Sequence, residues 1–179
     1  MATVLRTLER GWQWEDRQCS HYHQFWKSKD ISTTTKVRLL KVLVWLVAIR
    51  GSEGWTIRSK EEKYIEAFKM WCYRRLLRIP WTQHKTNEWI LCKLKVDREL
   101  LDHVKSLKLG FYGHTTRKYE SLEKEIVQEC VPGYQNCGRQ CRRWTDDIAE
   151  WTAIKINEVA TAVEDRDHWR GILRAINPS

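Results

Sequence analysis

No apolar run in this sequence is longer than the eight residues from Val42 to Ile49. A helix that crosses a bilayer needs roughly 20. The N-terminus also lacks the apolar stretch of a secretory leader, because Arg6, Glu9 and Arg10 interrupt it. These two absences lead us to expect an intracellular chain of cytoplasm and nucleus with no membrane partner. Its six cysteines (Cys19, Cys72, Cys92, Cys130, Cys137 and Cys141) are then read as reduced thiols. No pair of alternating apolar–polar segments joined by a hairpin turn is present, which argues against a sheet. A glycine-rich phosphate loop, a Ser/His/Asp arrangement and an H-E-x-x-H helix are missing too, and with them the commonest signatures of nucleotide, acyl-transfer and zinc-hydrolase chemistry.

What the sequence has in excess is positive charge, unevenly placed. Of 179 residues, 32 are Lys or Arg and 23 are Asp or Glu, a net charge of +9. Residues 27–118 hold 21 basic against 9 acidic side chains, whereas residues 119–179 hold 8 against 11. One contiguous stretch therefore carries the basic excess, as a phosphate-facing surface requires, although a generally basic solvated surface is the plainer alternative. Eleven tryptophans serve cores and stacking surfaces equally well.

The local patterns read as helices throughout, so the expected fold class is all-α, an irregular bundle of about six to eight helices. Residues 1–26 show little periodicity and read as a poorly ordered leader. Asp30 or Ser32 can cap a helix to Ile49. Its apolar second half (Val42–Ile49) should be buried, a strand being the competing reading. Ser59 and Glu62 form a capping box opening a helix that Pro80 ends near Ile79. On that helix Ile65, Phe68, Cys72, Leu76 and Ile79 make one stripe. Lys63, Trp71, Arg74 and Arg78 lie opposite, with Arg75 at the edge. Thr86 or Asn87 starts a short helix through Leu94. Asp97 should cap another, with Leu100, Val104, Leu107 and Phe111 inward, Arg98, Lys105 and Lys108 outward, and Gly110 and Gly113 at its end. Residues 121–129 and two or three helices between Arg143 and Ile176 complete the reading, with a loop from Val131 to Cys141 between them. The domain division expected from charge is the leader, a basic thumb-like domain (27–118) and a helical tail (119–179).

Two constellations invite a chemical reading. Trp144-Thr-Asp146-Asp147 resembles the metal-binding run of polymerase palms, but two-metal chemistry needs its carboxylates on a rigid hairpin. Here they open a helix, where the dipole favours acids. Cys130, Cys137 and Cys141, with His114 or His168, could be imagined as zinc ligands. The spacing C-x6-C-x3-C fits no compact zinc module, where paired ligands usually sit two to four residues apart. No metal or other cofactor is expected, and no catalytic residue.

Longer blocks carry a family likeness. Phe25-Trp-Lys-Ser-Lys-Asp-Ile31, Thr35-Lys-Val-Arg-Leu-Leu-Lys41 and Gly51-Ser-Glu-Gly-Trp55-Thr come first. Phe68-Lys-Met-Trp71-Cys-Tyr-Arg-Arg75-Leu-Leu-Arg-Ile79-Pro-Trp81-Thr, Thr86-Asn87-Glu88 and Phe111-Tyr-Gly113-His114 with Arg117 follow. Last come Gly138-Arg139-Gln140, Arg143-Trp144-Thr-Asp146-Asp-Ile148 with Trp151, and Asp165-Arg166 with Trp169-Arg170. In this order, over residues 24–174, they resemble the end of the reverse transcriptase of LINE-type (non-LTR) retrotransposons. The chain departs from that family at Arg50, where a tyrosine is usual, and at Gly54, where a threonine is usual. Cys137 and Cys141 also depart from it, in a stretch usually rich in Gly and Arg. The first 23 residues match no part of it, which suggests a truncated copy or a fragment with a new start.

The resemblance implies a helical thumb and tail, with endonuclease and catalytic palm absent, hence no polymerase activity of the chain's own. The expected function is sequence-independent gripping of RNA or DNA by its backbone, with other retrotransposon polypeptide parts as further partners. The contacts expected are Lys63, Trp71, Arg74, Arg75 and Arg78, then Lys105, Lys108, His114, Arg117 and Lys118, with Arg139, Arg142 and Arg143 as a second patch. Arg74 and Arg78, four residues apart, should straddle a backbone. Arg166, in the acid-rich third, should contribute nothing. A host-recruited protein-interaction module and a degenerate, non-functional product are the competing readings.

Overall fold

The structure of the protein, a computed structural model, describes residues 28, 30–96, 100–119, 121–127 and 142–176. The leader, the expected Asp97 cap with Arg98, Arg139, and the cysteines Cys19, Cys130, Cys137 and Cys141 lie outside the described residues. Among those described, every regular element is helical and none is a strand. The order is α1 (Thr33–Leu40), a π-helical turn (Lys41–Trp45), α2 (Leu46–Ala48), α3 (Ser59–Leu77), α4 (Asn87–Leu94), α5 (Leu100–Thr116), α6 (Leu122–Val127), α7 (Trp144–Thr152), α8 (Ile156–Glu164) and α9 (Arg166–Ile176).

The chain forms two compact units. One comprises Met1–Gly51 and Arg58–Leu101, the other Ser52–Ile57 and Asp102–Ser179. Ser52–Ile57 thus belongs with the C-terminal unit.

In the first unit, Ser32 caps α1: its Oγ accepts the Thr35 N–H at 3.2 Å. α1 packs on α3 and α4. Val37, Leu40, Val44, Trp45, Ala48 and Ile49 are buried, and Trp45 meets Tyr73 of α3 at 6.0 Å between ring centroids. The expectation that Val42–Ile49 is buried all round is corrected here. Val42 and Leu46 are each 57% exposed and Val47 is 41% exposed. A rod covered from one side can bury only one face, however apolar the other is. α3 opens one residue earlier than its expected box, since the Glu61 carboxylate accepts the Arg58 N–H at 3.2 Å. It ends at Leu77, with Arg78 in the left-handed region at φ 56°. Thr86 caps α4 by accepting the Trp89 N–H at 3.2 Å.

The second unit is built around Leu109, Tyr112, Ile148, Val159, Val163 and Trp169, with Trp144, Trp151, Ile172 and Leu173 packed against them. Tyr112 lies 6.1 Å from both Trp144 and Trp169, a tryptophan-rich centre drawn from α5, α7 and α9. α5 does not end at its glycines but runs through both to Thr116. Its phase also differs from the expected one. Leu107 and Phe111 are exposed by 37% and 39%, while Lys108, Leu109 and Tyr112 are buried.

Gly113 shows why that phase is held. A Cβ there would sit 2.3 Å from the Trp169 indole nitrogen, whereas one at Gly110 would meet nothing within 4 Å. Trp169 in turn donates its Nε1–H to the Leu109 carbonyl at 3.3 Å. Two alanine substitutions three residues apart should therefore diverge in urea denaturation. Gly113→Ala is expected to lose about 1–3 kcal/mol through overpacking. Gly110→Ala should gain up to about 1 kcal/mol from helix propensity. Equal effects at the two positions would contradict this packing.

Candidate nucleic-acid interface

The basic side chains singled out in the sequence fall into three groups once their surroundings are known. On α3, Lys63 is exposed. Trp71 stacks on the buried Phe68 at 6.3 Å. The Arg75 guanidinium lies over the Trp71 ring at 5.3 Å. Arg74 donates to the Lys85 carbonyl at 2.7 Å and to Asn87 Oδ1 at 2.9 Å. It thereby staples the end of α3 to the start of α4. Arg78 is not on the helix face at all but is its left-handed C-cap. The pair Arg74/Arg78 thus departs from the straddling geometry expected of it, since one member is committed to the fold and the other has left the helix.

The second group is turned inward. Lys108, expected to face solvent, is fully buried. Its Nζ donates to the Trp55 carbonyl at 2.8 Å and to Asp147 Oδ2. It lies 4.6 Å from the Trp144 ring centre and 5.3 Å from that of Trp151, so two indole faces share its charge. Asp147, also fully buried, accepts the Ile57 N–H at 2.8 Å on Oδ2 and Arg142 Nε–H at 2.7 Å on Oδ1. Arg142 pairs with Glu150 as well. Asp146 accepts the Arg143 N–H at 2.7 Å at the start of α7. Arg143 itself is exposed, and Lys105 lies over Trp151 at 5.4 Å. Lys108 is therefore withdrawn as a phosphate contact. A helical wheel treats lysine as outward, and here a buried carboxylate pulls it in. Among the described residues no three His, Cys, Asp or Glu side chains converge as a metal site would need.

The third group converges. His114, Arg117 and Lys118, from the end of α5 and just beyond it, face Arg166 and Arg170 of α9 across a groove of about 470 Å³ floored by Trp169 and Leu173. Among the described residues no carboxylate lines it. Arg117 donates to the Val163 carbonyl at 2.9 Å, which fixes its guanidinium. Burial lowers its affinity for a proton, and the positive fields of Arg166 and Arg170 lower it further. Among the described residues two cations of the rim meet acids, both at the surface: Lys118 with Glu123 at 3.4 Å and Arg170 with Asp167 at 3.3 Å. α9 is capped by Asp165, whose Oδ1 accepts the Asp167 and His168 N–H groups at 3.0 and 3.1 Å. Those hydrogen bonds hold its carboxyl below the usual carboxylate range.

Sequence reasoning found His114, Arg117 and Lys118 of the groove and missed Arg166 and Arg170. The signal available was their i,i+4 spacing around Trp169, which puts both on one side of a helix whose tryptophan is buried. Net acidity of the C-terminal third concealed it.

Compared with known proteins, the chain is 26% identical over 150 residues to a transposon-derived protein of Caenorhabditis elegans, a match covering 78% of this chain. That likeness supports a transposon origin. The match covers 54% of the relative, so the chain spans about half that protein's length. No family model matches the sequence, and no solved structure matches it.

The buried Lys108 gives the second unit a measurable pH signature. Burial, outweighing the opposing pull of Asp147, lowers its pKa from 10.5 to about 8. Between those values the unfolded chain holds a proton that the native chain has released, so this group makes stability rise with pH. Tyr112, raised above 10 by burial, acts in the opposite sense only at higher pH. Urea denaturation from pH 7.5 to 9.5 should show the rise in the wild type and its loss in Lys108→Met. A wild-type stability that falls across that window, or an unchanged rise in the variant, would contradict the assignment.

Proposed function

We propose that the chain is a non-catalytic, sequence-independent nucleic-acid-binding remnant of a LINE-type retrotransposon reverse transcriptase, corresponding to its thumb and tail. The observation that carries this reading is the groove of the C-terminal unit, where cations from two helices converge and, among the described residues, no carboxylate lines it. Concentrating like charges in a concave surface is unfavourable in the free protein and is offset when a polyanion enters. Transposon descent adds support, since such elements must handle their own RNA and DNA. The order of sequence blocks described above supplies the finer assignment to a polymerase thumb and tail. In this reading RNA or DNA is held by its phosphates, in the cytoplasm or nucleus, with no cofactor.

A second reading draws on the exposed apolar face of Val42, Leu46 and Val47. In that reading the scaffold serves protein interaction and the groove is only a solvated surface.

Salt dependence separates the two. Each phosphate neutralised releases condensed counterions, so log affinity falls linearly with log salt. Arg166→Gln/Arg170→Gln leaves the Arg117–Val163 hydrogen bond and the core untouched. Fluorescence anisotropy with random-sequence duplex DNA should show that slope shallower by about two in the double variant, with helical circular dichroism unchanged. An unchanged slope in a folded variant would hand the case to the second reading.

A further inference from the structure

A continuous nucleic-acid backbone carries one negative charge per phosphodiester, and an exposed row of cations is enough to track it. The groove between α5 and α9 is organised differently. Its cations are gathered into one concavity of about 470 Å³, with Trp169 and Leu173 in its lining. Trp169 is itself 1% exposed, so the floor is rigid core.

Among the described residues the charges of the groove also do not balance. Lys118 and Arg170 have surface acids, but Arg117 is held by a carbonyl, a neutral acceptor. Arg166 sits on the first turn of α9 with its side chain exposed. Asp165 already takes the Asp167 and His168 N–H groups at that helix start, so the site is built from side chains. Arginine suits such a role, since its planar fork offers paired donors to phosphate oxygens. Two arginines with no carboxylate partner among the described residues call for two negative charges on one group.

We infer that the groove is a site for a phosphate monoester dianion, the chemistry of a phosphorylated strand end or a free nucleotide. The inference rests on the proposed function and deepens it: the same cations that draw in a backbone hold its terminal phosphate in the groove. His114 closes the side of α5 and offers a further donor. Arg117 and Arg166 approach the dianion from opposite walls, and its arrival relieves their mutual repulsion.

The experiment uses the full chain and three labelled single-stranded oligonucleotides of one sequence: hydroxyl at both ends, 5′-phosphate, and 3′-phosphate. Anisotropy at fixed salt should show at least one phosphorylated strand binding about tenfold tighter than the hydroxyl strand, equivalent to about 1.4 kcal/mol. Arg166→Gln should abolish the difference, and Arg166→Lys, which keeps the charge but not the fork, should restore only part of it. Unlabelled nucleoside monophosphate competing as well as a phosphorylated strand identifies the free nucleotide as the source. Weak competition identifies the strand end. Equal binding of all three oligonucleotides overturns the inference while leaving the proposed function intact. Failure of every oligonucleotide to bind overturns both.

Discussion

The carboxylate of Asp147 ties the C-terminal unit together. It receives the Lys108 ammonium from α5, the Ile57 N–H from the segment before α3 and the Arg142 guanidinium before α7. Three stretches of chain far apart in sequence meet at one buried acid. Such an ion pair is costly to desolvate, and its worth lies less in net stability than in what its loss would leave behind. An unpartnered buried charge costs about 3–5 kcal/mol. That asymmetry makes the arrangement strongly specified. The buried lysine sets the rotation of α5 about its own axis, since Lys108, Leu109, Tyr112 and Gly113 can be inside together only at one phase.

The same phase places a neighbouring stripe of α5 along the groove. Gly110, His114 and Arg117, at i, i+4 and i+7, line one wall. Gly113, without a side chain, lets the Trp169 indole approach the α5 backbone. α9 is thereby seated close enough for Arg166 and Arg170 to share the groove with Arg117. The cation cluster is thus a product of apolar packing and of a buried ion pair, not of attraction among its members. In the proposed reading, phosphate supplies the missing attraction.

Local signals in the sequence were legible wherever the cause was local. Ser32 and Thr86 cap their helices through their own side chains, as short polar residues at those positions imply. Asp146 serves the start of α7 as an acid near a helix N-terminus should. Whatever depended on distant partners was not legible. Lys108 reads as outward until Asp147, 39 residues later, is known to be its partner. Val42 and Leu46 read as core because apolar composition cannot say which sides of a helix have neighbours. Arg166 was hidden by averaging charge over a region, although its own helix face was basic. The all-helical class survived these errors because periodicity and capping are independent of partner identity.

The most direct test of the account is a residue-resolved footprint. Arginines would be modified with phenylglyoxal and quantified by mass spectrometry, with and without a saturating random-sequence oligonucleotide. Arg117, Arg166 and Arg170 should be protected together by the nucleic acid, while Arg142, paired with Asp147 and Glu150, should change little. Protection concentrated on Arg74, Arg75 and Arg78 of the N-terminal unit, with the groove arginines as reactive as before, would contradict it.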